Sequence, residues 1–198
     1  MLILVRHGQS TGNADGLLLG RIDAPLTERG LLQARSLGPA LGGVSRVISS
    51  PLTRARDTAE ALGTGVPVEI DDRWVEVDYG EFDGRPLGSV PDDVWTRWRS
   101  DADYRPPGGE SLREAGKRVR GACEDLFAAE GAGARGQGAV VVVSHVSPIK
   151  LATCWALGLN DGGSWRLYLA TASITRISWG TGVPVLSTFN ETPWSASG

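Results

Sequence analysis

The 198-residue sequence predicts an α/β fold, a three-layer sandwich whose sheet is mostly parallel and flanked by helices. Short runs rich in valine and isoleucine alternate along the chain with longer segments of helical period. These runs are apolar at nearly every position rather than at every second one, which suits strands covered on both faces. Near the end, two β-rich segments around a glycine-rich turn predict a closing hairpin at the sheet edge.

The elements follow in order. Leu2–Val5 is the first strand. Thr27 can cap a helix running to about Leu41, with Leu31, Leu32, Ala34, Leu37 and Leu41 as its apolar stripe. Val44–Ser49 is the second strand. Ser50-Pro51 has the form of an N-cap followed by proline in the first turn, opening a helix through about Leu62. Val66–Ile70 is the third strand. Val77–Gly109 is irregular, rich in glycine, proline and aromatic residues, and is expected to cover one end of the sheet. Ser111-Leu112-Arg113-Glu114 is a capping box that starts a helix ending near Glu130. Gly131–Gly138 has the composition of a surface loop. Ala139–Ser144 is the fourth strand, and Ser147-Pro148 repeats the cap-proline signal. Ile174–Trp179 and Pro184–Phe189, separated by Gly180-Thr181-Gly182, form the hairpin. The expected organisation is a single domain over residues 1–198 with a small cap insertion at about 77–110.

A formal net charge of −3 argues against a general binder of nucleic acid or of anionic membranes. No apolar run approaches the roughly 20 residues of a membrane span, and Met1 leads into a strand with no charged segment before it, so no signal peptide is expected. Cys123 and Cys154 both fall in helical segments and are expected to be reduced, consistent with a cytoplasmic setting. A homodimer is allowed, and nothing in the sequence selects it.

The chain has two histidines. His7 directly follows the first strand and His145 directly follows the fourth. Ligands of open parallel sheets bind outside the carboxyl ends of the strands, so the two imidazoles can meet there if their strands are neighbours. Arg6 precedes His7, and Gly8 after it is expected to let a ligand approach the backbone. Arg54 sits early in the helix after the second strand, where free N–H groups and the positive dipole end favour phosphate. Two imidazoles, guanidinium groups and helix ends at one edge describe a pocket for a dianionic phosphoryl group. The histidine count leaves no metal site of known spacing. A Gly-x-Ser-x-Gly elbow and a nucleotide-binding P-loop are both absent from the sequence. No cofactor is expected.

Leu4-Val5-Arg6-His7-Gly8-Gln9-Ser10, followed by Asn13, resembles the signature of the histidine phosphatase superfamily, which includes cofactor-dependent phosphoglycerate mutases. The resemblance runs on through Gly20, Asp23, Pro25-Leu26-Thr27, Gly30 and Gln33-Ala34. It then takes in Ser49-Ser50-Pro51-Leu52, Arg54-Ala55, Thr58-Ala59, Glu76 and Tyr79-Gly80, and ends at Pro107-Gly108-Gly109-Glu110-Ser111 and Val143-Ser144-His145. It implies that His7 attacks phosphorus and becomes phosphohistidine, which water then hydrolyses. It implies that Arg6, Arg54 and His145 hold the phosphoryl oxygens, that Asn13 contacts phosphate, and that Glu76 is the general acid. Glu76 is picked out only by the Glu-x-x-Tyr-Gly pattern, since Asp71, Asp72, Asp78, Glu81 and Asp83 crowd the same stretch and read as a solvated acidic loop.

Three features favour a phosphatase over a mutase. The chain is short, Trp98-Arg99-Ser100 offers one arginine where mutases pair two, and Leu19 replaces a hydroxyl residue before Gly20. The segment Ser144–Lys150 and the short cap resemble the bacterial branch that includes α-ribazole phosphatase. The expected substrate is a small phosphorylated metabolite, chosen by residues around Gly20 and Arg21 and by Tyr79, Trp95, Trp98, Arg99 and Tyr104; plain packing of the cap is the competing account for the aromatics. A non-catalytic binder of phosphorylated ligands is the alternative from another class.

Overall fold

The computed structural model describes residues 1–131, 138–179 and 182–193. Among these, six strands form a sheet in the order β3-β2-β4-β1-β5-β6. β1 (Leu2–Arg6), β2 (Val44–Ser49), β3 (Val68–Ile70) and β4 (Ala139–Ser144) are parallel. β5 (Ile174–Ser178) runs antiparallel to β1, and β6 (Val185–Glu191) antiparallel to β5 at the edge. Helices α1 (Thr11–Ala14), α2 (Glu28–Leu41), α3 (Thr53–Ala61), α4 (Asp92–Ser100), α5 (Leu112–Gly131) and α6 (Val146–Ala156) complete the three layers with short 3₁₀ turns.

The continuous apolar runs divide between two cores because successive strand residues face opposite ways. Leu2, Leu4, Val140 and Val142 pack with Ala115, Val119 and Leu126 of α5 and Ile149 and Ala152 of α6. Ile3, Val5, Val141 and Val143 pack with Leu37 and Leu41 of α2 and Ala55 and Ala59 of α3. A third cluster, Leu18, Phe82, Val90, Val94 and Trp98, belongs to the cap.

Several boundaries differ from the sequence reading. α3 begins at Thr53 with Leu52 as its N-cap, a leucine that has no side-chain acceptor to offer, while the Ser50 hydroxyl meets His145. α6 begins at Val146 with His145 as its N-cap, so Ser147-Pro148 lies inside the first turn, where proline removes only an N–H that the helix cannot satisfy itself. β3 starts after Pro67, two residues late, since proline cannot donate to a ladder. Val77–Gly109 contains the helix α4, whose buried Val94 and Trp98 are four residues apart on one face. The signal was present as Pro91 followed by Asp92 and Asp93, a proline and two carboxylates at a helix start. Thr27 caps α2, and Ser111 and Glu114 form the reciprocal box ahead of α5, as read from sequence. Most of the Gly131–Gly138 loop and Gly180-Thr181 lie outside the described residues.

Candidate active site

The sheet order makes β4 the neighbour of both β1 and β2. Val5 pairs with Val143, Arg6 with Ser144 and Ser49 with Val143, so His7, Ser50 and His145 leave three adjacent strands at one level. The His7 amide still donates to Ser144 O and its carbonyl accepts from the Ala172 amide, each at 3.0 Å, which holds the residue on both sides. The two rings lie 5.1 Å apart between centroids.

His7 Nδ1 lies 2.7 Å from the Gly8 carbonyl oxygen. A carbonyl can only accept, so Nδ1 carries the proton and Nε2 keeps its lone pair. Burial holds the His7 pKa well below 6.5, and the Arg6 and Arg54 guanidinium groups push it further down. The ring is therefore neutral at physiological pH, the form a nucleophile needs. His145 has the opposite tautomer: Arg54 donates Nε–H to its Nδ1 at 3.2 Å, so Nε2 carries the proton and donates to Ser50 Oγ at 2.7 Å. Burial, Arg54 and His7 also hold its pKa well below 6.5.

Packing by itself requires glycine at position 8. A Cβ there would collide with the Gly30 carbonyl, and a Cβ on Gly30 would collide with the Gln9 carbonyl. The loop after β1 thus lies directly on the first turn of α2. The Gly8 amide also donates to Thr58 Oγ1 at 3.1 Å, and that hydroxyl donates to Arg54 O at 2.7 Å, tying the His7 loop to α3.

Arg54 is almost fully buried, and its guanidinium also donates to the carbonyls of Ile22 and Gly20 at 2.8 Å each. These bonds use three of its five N–H groups. The Gly20–Ile22 segment is fixed in turn by Asp83, whose carboxylate accepts the amides of Gly20, Arg21 and Ile22 at 2.7–3.0 Å. Asp83 is therefore a structural brace and not part of a solvated loop. Arg6 donates one N–H to Leu169 O at 2.6 Å, while its buried Nε has no partner among the described residues. Burial lowers its pKa to about 10, which leaves it charged. A buried charged donor with no acceptor is costly unless a ligand satisfies it.

Glu76 is buried, with Val77 N donating to Oε1 at 2.7 Å and Ser147 N to Oε2 at 3.3 Å. Arg118 of α5 holds its backbone by donating to the carbonyls of Arg73, Val75 and Glu76, and is itself paired with Glu110. Tyr79 bonds Ser147 through its hydroxyl at 3.1 Å and reaches the same corner. Burial and Glu76 raise the Tyr79 pKa, keeping the phenol protonated.

Other candidates are placed differently. Asn13 forms a reciprocal capping box with Ser10, and its Oδ1 is taken by the Ser10 amide and hydroxyl. Arg21 is exposed, with Glu110 at 3.4 Å. Trp98 and Tyr104 pack into the cap core, edge-on to each other. Arg99 lies over the Trp95 ring at 5.9 Å and faces a cavity of about 1270 Å³ shared with Arg113, Arg120 and Asp161, apart from the histidines. Sequence reasoning missed the roles of Ser50, Thr58, Asp83 and Arg118, because each acts through a contact far along the chain. Among the described residues no group of three or more His, Cys, Asp or Glu could hold a metal ion, and no helix is long and apolar enough to cross a membrane.

The mixed sheet, with histidines, arginines and a buried carboxylate at its carboxyl edge, fits the histidine phosphatase family. The chain belongs to the histidine phosphatase superfamily, branch 1, whose family model matches residues 2–192. It is 37% identical over 183 residues to a bifunctional protein of Mycobacterium tuberculosis, covering 88% of this chain and 49% of that protein, so it spans about half the length of the curated relatives it matches there. It is 34% identical over 206 residues to a Cronobacter sakazakii protein provisionally named phosphoglycerate mutase, covering 98% and 87% of the two chains. Among solved structures, a mycobacterial glucosyl-3-phosphoglycerate phosphatase in complex with VO3 is similar at TM-score 0.86 and 31% identity, over 96% of this chain and 98% of that one. An Entamoeba histolytica phosphoserine phosphatase variant in complex with phosphoserine is similar at TM-score 0.86 and 27% identity, over 96% of each chain.

Proposed function

We propose that the chain hydrolyses small phosphate monoesters through a phosphohistidine on His7. The observation that carries this reading is the Nδ1 contact of His7 with Gly8 O at 2.7 Å, which leaves a neutral Nε2 lone pair in a pocket with two arginines. Nε2 attacks phosphorus, the P–O bond to the leaving group breaks, and Glu76 delivers a proton to the departing oxygen. Water then attacks phosphorus while Glu76 takes its proton, the P–N bond breaks, and phosphate leaves. Arg6, with its unpartnered Nε, and Arg54, with two N–H groups to spare, offset the oxygens' charge; His145 lies beside them. On this reading the insertion at about 77–110 caps the site, and Asn13, Arg21 and Tyr79 are the contacts of the ester. The phosphatase names of the two similar structures support hydrolysis, and the short cap supports it over mutation.

A purified chain should release phosphate from p-nitrophenyl phosphate and from alkyl phosphate esters. Conversion of 3-phosphoglycerate to 2-phosphoglycerate without net phosphate release would replace this reading with the mutase one.

A further inference from the structure

The cavity of about 1270 Å³ that Arg99 faces lies outside the chemistry described above. Its walls come from the end of α4, from α5 and from the 3₁₀ turn Asp161–Arg166 with the residues on either side. Among the described residues, none of these wall residues forms a hydrogen bond, ion pair or ring contact with Arg6, His7, Arg54, Glu76 or His145.

Four arginines, Arg99, Arg113, Arg120 and Arg166, stand in these walls against two aspartates, Asp101 and Asp161. The chain as a whole carries −3, so the cavity is a local positive patch on an acidic protein. Arg120 pairs with Asp161, and Arg113 with Asp103. Arg166 is exposed and forms no hydrogen bond or ion pair among the described residues, and Arg99 has only the Trp95 ring. Arg113 and Arg120 are two turns apart on α5, about 10.5 Å along its axis. A single phosphate would have to break an ion pair to gather both, whereas an extended polyanion meets each in place. Leu159, 51% exposed, and the partly buried Trp165 and Leu167 leave apolar surface beside the guanidinium groups. Small-molecule sites combine such surface with a few aimed polar groups in roughly 300–1,000 Å³, so this cavity has room for an extended ligand. Guanidinium forks bind phosphate oxygens in pairs, and their planes stack on aromatic rings.

We propose that this cavity is a second ligand site, separate from the catalytic pocket, for an organic polyphosphate of the nucleoside triphosphate class. Arg99 and Arg166, which have no carboxylate partner, take the phosphate chain together with Arg113 and Arg120. The apolar side at Leu159, Trp165 and Leu167 takes the base and sugar. The spacing along α5 favours a chain of phosphates, which separates this ligand from the monoester assigned to His7.

Calorimetric titration with the hydrolysis-resistant β,γ-imido analogue of ATP tests the assignment, with saturating vanadate present to fill the catalytic pocket. The parent chain should bind one equivalent of the nucleotide under these conditions. Arg166→Glu should weaken that binding about 10-fold or more, the scale of a lost charge-assisted hydrogen bond. Circular dichroism and p-nitrophenyl phosphate hydrolysis should stay at parent levels in that variant. Inorganic tripolyphosphate should bind more weakly than the nucleotide, because it leaves the apolar wall bare. Binding that vanadate abolishes would place the nucleotide in the catalytic pocket and overturn the proposal. Absence of binding, equal affinity for tripolyphosphate, or unchanged affinity in Arg166→Glu would overturn it as well. Should the variant fail to fold, the vanadate and tripolyphosphate comparisons on the parent chain decide.

Discussion

Arg54 donates its Nε–H to Nδ1 of His145 at 3.2 Å, joining the second residue of α3 to the residue that follows β4 and caps α6. The contact sets the tautomer of His145, and the Gly20 and Ile22 carbonyls hold the guanidinium plane in place. Lysine keeps the charge but loses this fork of bonds. Arg54→Lys should therefore lower kcat/KM for p-nitrophenyl phosphate by about 10²–10³-fold, the usual scale for loss of an aimed charge-stabilising donor. Asp83→Asn, which weakens the brace on the Gly20–Ile22 segment, should produce a smaller loss in the same direction. Parent-like kinetics in Arg54→Lys would show that charge alone matters at this position.

The tautomer of His7 makes Nε2 the attacking atom. Acid-labile, base-stable label should remain on protein quenched during turnover of a phosphate-labelled ester, and His7→Ala should lose both the label and turnover. Circular dichroism should show that variant folded. Sustained turnover by a folded His7→Ala protein would dispose of the covalent route.

His7 and His145 are the chain's only histidines, and both have pKa values held well below 6.5 by burial and the neighbouring arginines. In the unfolded chain they take protons near pH 6.5, whereas the folded sites resist protonation. The unfolded state therefore binds more protons below about pH 6.5, and stability falls as pH drops from there toward the folded values. Each such proton contributes a slope of about 1.4 kcal/mol per pH unit. Urea titrations between about pH 7.5 and 5.5 should show the decline, and His145→Gln should make it shallower by about one proton. A slope identical in parent and variant would count against a neutral buried His145.

Glu76 is assigned to proton delivery, so its importance should follow the basicity of the leaving group. Glu76→Gln should slow the phosphorylation step with alkyl phosphates by about 10²–10⁴-fold and affect p-nitrophenyl phosphate far less. Burst kinetics separate this step from the later attack of water, which also needs the carboxylate. Asp78→Asn is the control: the Asp78 carboxylate accepts the Gly80 amide at 2.9 Å. If the leaving-group dependence appears in Asp78→Asn and not in Glu76→Gln, the acid has been misassigned.

Arginines neutralise the phosphoryl charge in this scheme. EDTA should leave activity unchanged, and vanadate should inhibit by occupying the site with a five-coordinate mimic of phosphorus. Vanadate should also raise the melting temperature, as any ligand of the folded state does, and Arg6→Ala should weaken that shift by removing the unpartnered Nε. Activity lost in EDTA and restored by magnesium or zinc would overturn the site assignment.

What the sequence determined was the local and periodic part of this protein. Unbroken runs such as Ala139–Ser144 could only be strands buried on both faces, and Thr27 and Ser111 announced their helices, because burial and capping act within a few residues. His7 and His145 were legible as strand-end residues, and the motif order singled out Glu76. The pairing of β1 and β2 with β4 was decided by tertiary structure, and so was the meeting of the two rings at 5.1 Å. The same holds for Ser50, which looked like a helix cap until His145 claimed its hydroxyl from 95 residues away. Asp83 and Arg118 carry no local signature, since a brace is defined by what folding brings beside it. Hydrogen bonds and charges act over a few ångströms of space, whatever the distance along the chain.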